Sequence, residues 1–212
     1  MLGIVDYRAG NQTSVRRALD HLGIPCQITD QASLLTSCSG IIFPGVGAAG
    51  QAMQLLQAKG LDKVMHECAQ KGIPILGICL GCQILLEHSE ENDTSLLSIL
   101  QGRCKRFAEN LKQEDGSSAP VPHMGWNTVE RTPEHATHFL FNSIDPHAAF
   151  YFVHSYYVEP APSLIIAQTT YGIPFCSVYG KDGVWGVQFH PEKSGRPGLQ
   201  LLLNFYRQCC HN

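Results

Sequence analysis

The stretch Ile73-Pro74-Ile75-Leu76-Gly77-Ile78-Cys79-Leu80-Gly81-Cys82-Gln83-Ile84-Leu85-Leu86-Glu87 passes from an apolar, strand-like run through Gly-x-Cys-x-Gly into a helical pattern. A strand, a sharp turn and a helix in that order mount an exposed nucleophile. Gly77 and Gly81 leave room for the turn, and the turn lifts the side chain between them out of the sheet. Cys79 is therefore the first candidate for chemistry. At a helix N-terminus, unpaired backbone N–H groups and the dipole would favour its thiolate. Against this stands the ordinary behaviour of free cysteine, among the most buried residue types, in a chain that has nine. The flanking glycines weigh toward chemistry.

Outward from this stretch, apolar runs at Leu2 to Asp6, Cys26 to Thr29, Gly40 to Phe43 and Ile73 to Ile78 read as strands. Helical patterns lie between them at Thr13 to His21, Ala48 to Lys59 and Leu61 to Lys71. This alternation predicts βαβ units on a parallel sheet. After Gly102 the texture becomes strand-like, at Arg103 to Phe107, Asn127 to Glu130, Phe139 to Phe141, Phe150 to Val153, Leu164 to Thr170, Phe175 to Tyr179 and Val184 to Phe189. These extend or flank the same sheet. Lys181-Asp182-Gly183 signals a hairpin turn, and Gly198 to Cys210 a closing helix introduced by Pro197. Asn110 to Pro120 is the most linker-like stretch, short enough for a surface loop.

The 212 residues, 44% hydrophobic and 16% charged, can bury a sizeable core and suit one domain over 1–212. Lys plus Arg number 15 against 18 Asp plus Glu, a net charge of -3, so no nucleic-acid or anionic-membrane surface is expected. Asp6 comes too early for a signal peptide and no apolar run has membrane-span length, which predicts a cytoplasmic protein with free thiols.

A cysteine nucleophile needs a base and something to orient it, and Gln188-Phe189-His190-Pro191-Glu192 offers both at the end of a predicted strand. In extended geometry the side chains of His190 and Glu192 point to one side, so the carboxylate could hold one ring nitrogen and leave the other for Cys79. The N–H of Leu80 is the expected first oxyanion donor, and Pro44-Gly45-Val46-Gly47 could supply a second from the same strand-end edge. Gly45 to Gly50 also fits Gly-x-Gly-x-x-Gly, but Pro44 precedes it and Asp62 falls between helical patterns, which argues against a dinucleotide site. Cys79-Leu80-Gly81-Cys82 is a Cys-x-x-Cys, yet a redox pair would need neither flanking glycines nor a distant His-Pro-Glu. Cys209-Cys210-His211 has too few companions for a metal site. No metal and no cofactor are expected.

Together these motifs resemble the class I glutamine amidotransferases, nearly end to end. The resemblance is carried by Asp6-Tyr7 with Gly10-Asn11, Pro44 to Gly47, Gly77 to Gly81, Pro122 to Asn127, Tyr151 to Tyr156 and Gly186 to Ser194. The stretch His123 to Asn127, with Pro-Gly-Val-Gly in place of Pro-Gly-Gly, is similar to the branch of glutaminase subunits that feed a cyclase in histidine biosynthesis. The resemblance implies an α/β, flavodoxin-like fold: a central, mostly parallel sheet with flanking helices and added antiparallel strands. It implies a Cys79, His190, Glu192 triad that hydrolyses L-glutamine through a thioester, with an oxyanion loop at Gly45, Val46 and Gly47. By the same resemblance Gln83 and Glu91 bind the glutamine head group, the backbone of Ser155 and Tyr156 holds its carboxylate, and Asn11, Trp126, Tyr151 and Lys193 meet the partner. That partner would be a TIM-barrel cyclase subunit in a heterodimer. The alternatives are a paralogue serving another synthase, such as a surface-sugar amidotransferase, and a non-catalytic docking subunit.

Three positions depart from the family pattern. Arg8 replaces a usual Gly, Cys82 a common Met, and Ser95-Leu96-Leu97-Ser98 a Gly-Leu-Gly turn. Val46 carries a Cβ between two glycines, so turning its peptide to aim an N–H at an oxyanion would require a conformation disfavoured for a β-branched residue. A loop resting out of line until a partner shifts it is the expectation.

Overall fold

The computed structural model describes residues 1–8 and 11–210. Its first half alternates as the apolar runs predict, with one short helix that they do not: β1 (Leu2–Val5), α1 (Gln12–His21), β2 (Cys26–Thr29), the unpredicted α2 (Ala32–Leu35), β3 (Gly40–Gly45), α3 (Ala49–Ala58), α4 (Leu61–Gln70), β4 (Ile75–Cys79) and α5 (Leu80–Ile84). The second half adds β5 (His88–Ser89), β6 (Thr94–Ser95), β7 (Gly102–Arg106), β8 (His123–Thr128), β9 (Glu130–Arg131), β10 (Ala149–His154), β11 (Tyr156–Pro160), β12 (Ile165–Tyr171), β13 (Ile173–Lys181) and β14 (Val184–Val187), closed by α6 (Gly195–Cys210).

Five strands in the order β2-β1-β3-β4-β14 are mutually parallel. The four strands β1, β3, β4 and β14, covered on both faces, bury every residue and read as continuous apolar runs, whereas the edge strand β2 leaves Gln27 exposed. Leu2, Ile4, Ile42, Leu76 and Ile78 face one core with α1 and α6, whereas Val5, Ile41, Phe43 and Ile75 face the other with α3, α4 and α5. β3 runs two residues past its predicted end because Pro44 and Gly45 pair with Ile78 and Cys79. Pro44 is tolerated there because β1 leaves β3 after Ile42, so its missing N–H deprives no neighbour.

β13 ties the added strands to this core. It pairs antiparallel with β14 through the Asp182-Gly183 turn, whose φ values of 50° and 88° suit a type I′ hairpin. It also pairs with β12 and, at Cys176, with Val158 of β11. Among the described residues twelve strands share this sheet, while β8 and β10 form a separate antiparallel pair.

Two expected strands differ. Phe139–Phe141 is a 3₁₀ turn, because the carbonyls of Leu140 and Asn142 are taken by the Asn204 side chain of α6 instead of a neighbouring strand. The expected strand Asn127 to Glu130 is divided at Val129, with β8 paired to β10 and β9 to β12. The closing helix starts at Gly195, with Pro197 inside its first turn, where a missing N–H costs little.

Candidate active site

Cys79 ends β4 and opens α5 with φ 53° and ψ −113°, a conformation ordinary L-residues avoid. The strain is held by glycine contacts on either side. A Cβ at Gly77 would lie 2.8 Å from the Cys82 Cα, and one at Gly81 only 1.7 Å from the Phe43 carbonyl oxygen. Thus β3, β4 and α5 approach more closely than side chains permit. α5 spans only five residues, so the macrodipole of a long helix is not available to the sulfur.

His190 follows β14, at the same edge of the parallel sheet. Its backbone is braced by an N–H bond to Tyr151 O at 2.9 Å and by Ser194 Oγ donating to its carbonyl at 2.6 Å. Its Nδ1 lies 2.7 Å from Glu192 Oε1, and both side chains are fully buried. The extended geometry expected for this pair is replaced by a 3₁₀ turn over Pro191–Lys193, since Pro191 starts a turn that brings Glu192 back under the ring. Asn11 Nδ2 donates to the same Glu192 Oε1 at 2.8 Å. The second ring nitrogen, Nε2, has no hydrogen-bond partner, and Cys79 Sγ donates to Val153 O at 3.9 Å, while both side chains line the same cavity. Burial alone would lower the His190 pKa, but the neighbouring Cys79 sulfur and the Glu192 carboxylate outweigh it and push it up to about 10. Burial likewise disfavours charge on Glu192, yet its bonds to His190 and Asn11 hold it below the usual carboxylate range.

A cavity of about 390 Å³ opens over Cys79 and His190 and is also lined by Val46, Gly47, Leu80, Gln83, Glu91, Ser155 and Tyr156. Nearly every residue singled out from sequence for nucleophile, oxyanion loop and substrate thus reaches one chamber. Gly45 stands at its base, paired with Cys79, and Glu192 lies behind His190. The positive φ of the loop falls on Gly47, at 93°, and not on Val46. Glu91 Oε2 accepts the Ala49 N–H at 2.6 Å and so caps α3 at the exit of that loop.

The four interface candidates separate. Trp126 is 58% exposed and meets Tyr151 edge-on at 6.1 Å, and Lys193 lines a surface cavity beside α1. Asn11 instead spends its amide on Glu192. Gly10 and His211 lie outside the described residues. Arg8 adopts φ 65°, the left-handed conformation a glycine would take freely, with its N–H on Asp6 Oδ1 at 3.1 Å. Cys82 is fully buried, with its Cβ 2.9 Å from where a Cβ on Gly186 would be. The loop after Glu91 is pinned by bonds from Leu96, Leu97, Ser98, Ile99 and Leu100 to carbonyls of residues 84–87.

Sequence reasoning missed two residues here. Tyr7 is buried and donates to Pro44 O at 3.0 Å, fixing the root of the oxyanion loop. His154 lines the cavity, donates from Nδ1 to Tyr156 O at 2.8 Å, and meets His123 at 3.1 Å. Both stood inside quoted motifs, but only packing reveals their partners.

Over residues 3–209 the chain matches the family model described as "Glutamine amidotransferase class-I". It is 64% identical to "Imidazole glycerol phosphate synthase subunit HisH" of Desulfovibrio desulfuricans, covering 99% of this chain and 95% of that one. It is 58% identical to the protein of the same name from Nitratidesulfovibrio vulgaris, covering 99% and 97%. Among solved structures it is similar to "PurLQS from Thermotoga maritima", with a TM-score of 0.73 at 16% identity over 98% of this chain and 97% of that one, a likeness of fold alone. The elbow, the buried His–Glu pair and the full-length family match lead to one statement of kinship: this chain belongs to the class I glutamine amidotransferase family.

Proposed function

We propose that the chain is the glutaminase subunit of an imidazole glycerol phosphate synthase, working in the cytoplasm as a heterodimer with a TIM-barrel cyclase. The observation that carries the chemistry is a thiol and an imidazole facing one chamber of about 390 Å³, with a buried carboxylate bonded to the imidazole from behind. The names of the 58% and 64% identical relatives carry the pathway.

In this reading the Cys79 thiol gives its proton to His190 Nε2 and its Sγ adds to the γ-carboxamide carbon of L-glutamine. The oxyanion is received by the Leu80 N–H and by an N–H of the Gly45-Val46-Gly47 loop. His190 passes its Nε2 proton to the departing nitrogen, ammonia leaves, and a γ-glutamyl thioester remains on Cys79. Water then gives a proton to His190 and attacks the thioester; as the Cys79 sulfur leaves it takes that proton from His190, so glutamate is released with the thiol restored. Glu192 holds Nδ1 throughout, and Asn11 steadies Glu192. Gln83, Glu91 and the backbone at Ser155 and Tyr156 grip the amino-acid end of the substrate. Ammonia passes to the cyclase, which docks over Trp126, Tyr151 and Lys193.

Steady-state glutaminase assays on the chain alone, with the cyclase, and with the cyclase holding its own substrate test the assignment. Slow turnover alone and a rise of about two orders of magnitude in the complete mixture are expected, the size of one missing oxyanion donor. Equal turnover in all three removes the gated loop, and no glutamine hydrolysis in any removes the glutaminase.

A further inference from the structure

Gln188 is fully buried, and its Nε2 has no hydrogen-bond partner. An unpaired buried donor destabilises a fold, and an apolar side chain of similar length would avoid it. Its other end explains why a glutamine stands there. Gln188 Oε1 accepts from Gln83 Nε2 at 3.2 Å, and the same nitrogen donates to Tyr156 O at 2.9 Å. The topology forces this meeting. β14 and β11 both pair with β13, at Val178 and Cys176, so the residue after β14 and the first residue of β11 converge on Gln83 of α5.

The direction of these bonds is fixed by chemistry. A backbone carbonyl can only accept, so Gln83 must turn its nitrogen toward Tyr156. Both hydrogens of that nitrogen are then used, and the Gln83 oxygen is left for the cavity it lines. Without Gln188 one of those two hydrogens is left buried and unpaired, so the nitrogen-inward arrangement keeps only its bond to Tyr156 O and loses part of its advantage.

We propose that Gln188 is a positioning residue that locks the Gln83 amide with its oxygen toward the cavity, as an acceptor for the α-ammonium of the substrate. This rests on the glutaminase reading. Glutamine brings two donor groups, and its carboxamide nitrogen departs at Cys79 and His190. The ammonium is the donor that remains.

The test compares Gln188→Met, which removes the acceptor, with Gln188→Glu, which keeps an oxygen at the same place, in the chain with its cyclase. Gln188→Met should raise KM for glutamine about tenfold with kcat within twofold of wild type, while Gln188→Glu stays near the wild-type KM. Inhibition by L-glutamate should weaken in Gln188→Met by the same factor, and inhibition by glutarate, which lacks the ammonium, should not change. Gln188→Leu carries the same expectation, so a fold lost to one side-chain shape does not stand in for the result. Unchanged KM in the apolar variants overturns the positioning role, as does an equal loss for glutarate and glutamate, the mark of a merely deformed pocket. Wild type that hydrolyses no glutamine overturns the glutaminase reading instead, and this one with it.

Discussion

A methyl group at Gly81 would sit 1.7 Å from a backbone oxygen of β3, with no flexible side chain to yield. Gly81→Ala should therefore cost more than about 3 kcal/mol, or prevent folding, measured by urea melts; a loss under about 1 kcal/mol would mean that β3 and α5 are not in contact. The two neighbouring cysteines should part company for a different reason. Cys79 lines the cavity, whereas Cys82 is fully buried with its thiol pKa pushed well up by burial. Cys79→Ala should leave the melt intact and reduce glutamine hydrolysis below detection, while Cys82→Ala keeps most of the turnover at a modest cost in stability. Comparable losses of turnover would return the pair to redox chemistry. At the His–Glu pair, His190→Asn should lower kcat more than Glu192→Gln, because the first removes the proton carrier and the second only its orientation.

The loop after β3 shows how an element can be sterically free and still constrained. A Cβ on Gly47 meets nothing within 4 Å, yet its φ of 93° is one that L-residues resist. Gly47→Ala should cost only about 1 kcal/mol in stability but lower kcat by roughly tenfold or more, because the strain is relieved by turning the peptide that supplies an oxyanion donor. Unchanged kcat would place the second donor elsewhere. The same contrast governs what was legible in the chain. The parallel strands could be read because burial on both faces writes itself as unbroken apolar runs, and the Asp182-Gly183 hairpin because its turn demands those residues. Phe139–Phe141 could not, since what converts its run into a turn is Asn204, more than sixty positions on. Cys79, His190 and Glu192 stood out by chemistry and spacing. Tyr7, His154 and the Gln188–Gln83 bond did not, because their roles reside in contacts with elements well separated in sequence, Tyr7 with Pro44, His154 with His123 and Gln188 with Gln83.

For the whole molecule, buried imidazoles set how stability responds to pH. Burial holds His123 and His138 down to about 4 and His154 down to about 3, so all three are neutral in the folded chain near neutral pH. In the unfolded chain they titrate near 6.5. Between pH 6.5 and about 4 the unfolded state binds more protons, and stability must fall as the solution is acidified through that window. Glu192 adds to the loss only lower, because its folded pKa is depressed: its contribution is present above the unfolded value of about 4.5 and disappears as pH falls through the folded one. His190 acts with the opposite sign. Raised to about 10, it contributes fully below pH 6.5 and loses that contribution as pH rises toward 10. These groups place maximal stability near pH 6.5. His123, stacked on Tyr171 at 4.0 Å and Phe152 at 4.9 Å and bonded to His154, is the place to test the acid limb. At about 1.4 kcal/mol per pK unit, its shift accounts for up to roughly 3 kcal/mol of acid lability. His123→Phe should lower stability at pH 7.5, where it leaves His154 Nε2 without its partner, and yet flatten the decline between pH 6.5 and 4. Urea melts at pH 7.5, 6.5, 5.5 and 4.5 measure both, and an acid limb as steep in His123→Phe as in wild type would show that this imidazole is not held neutral by the fold.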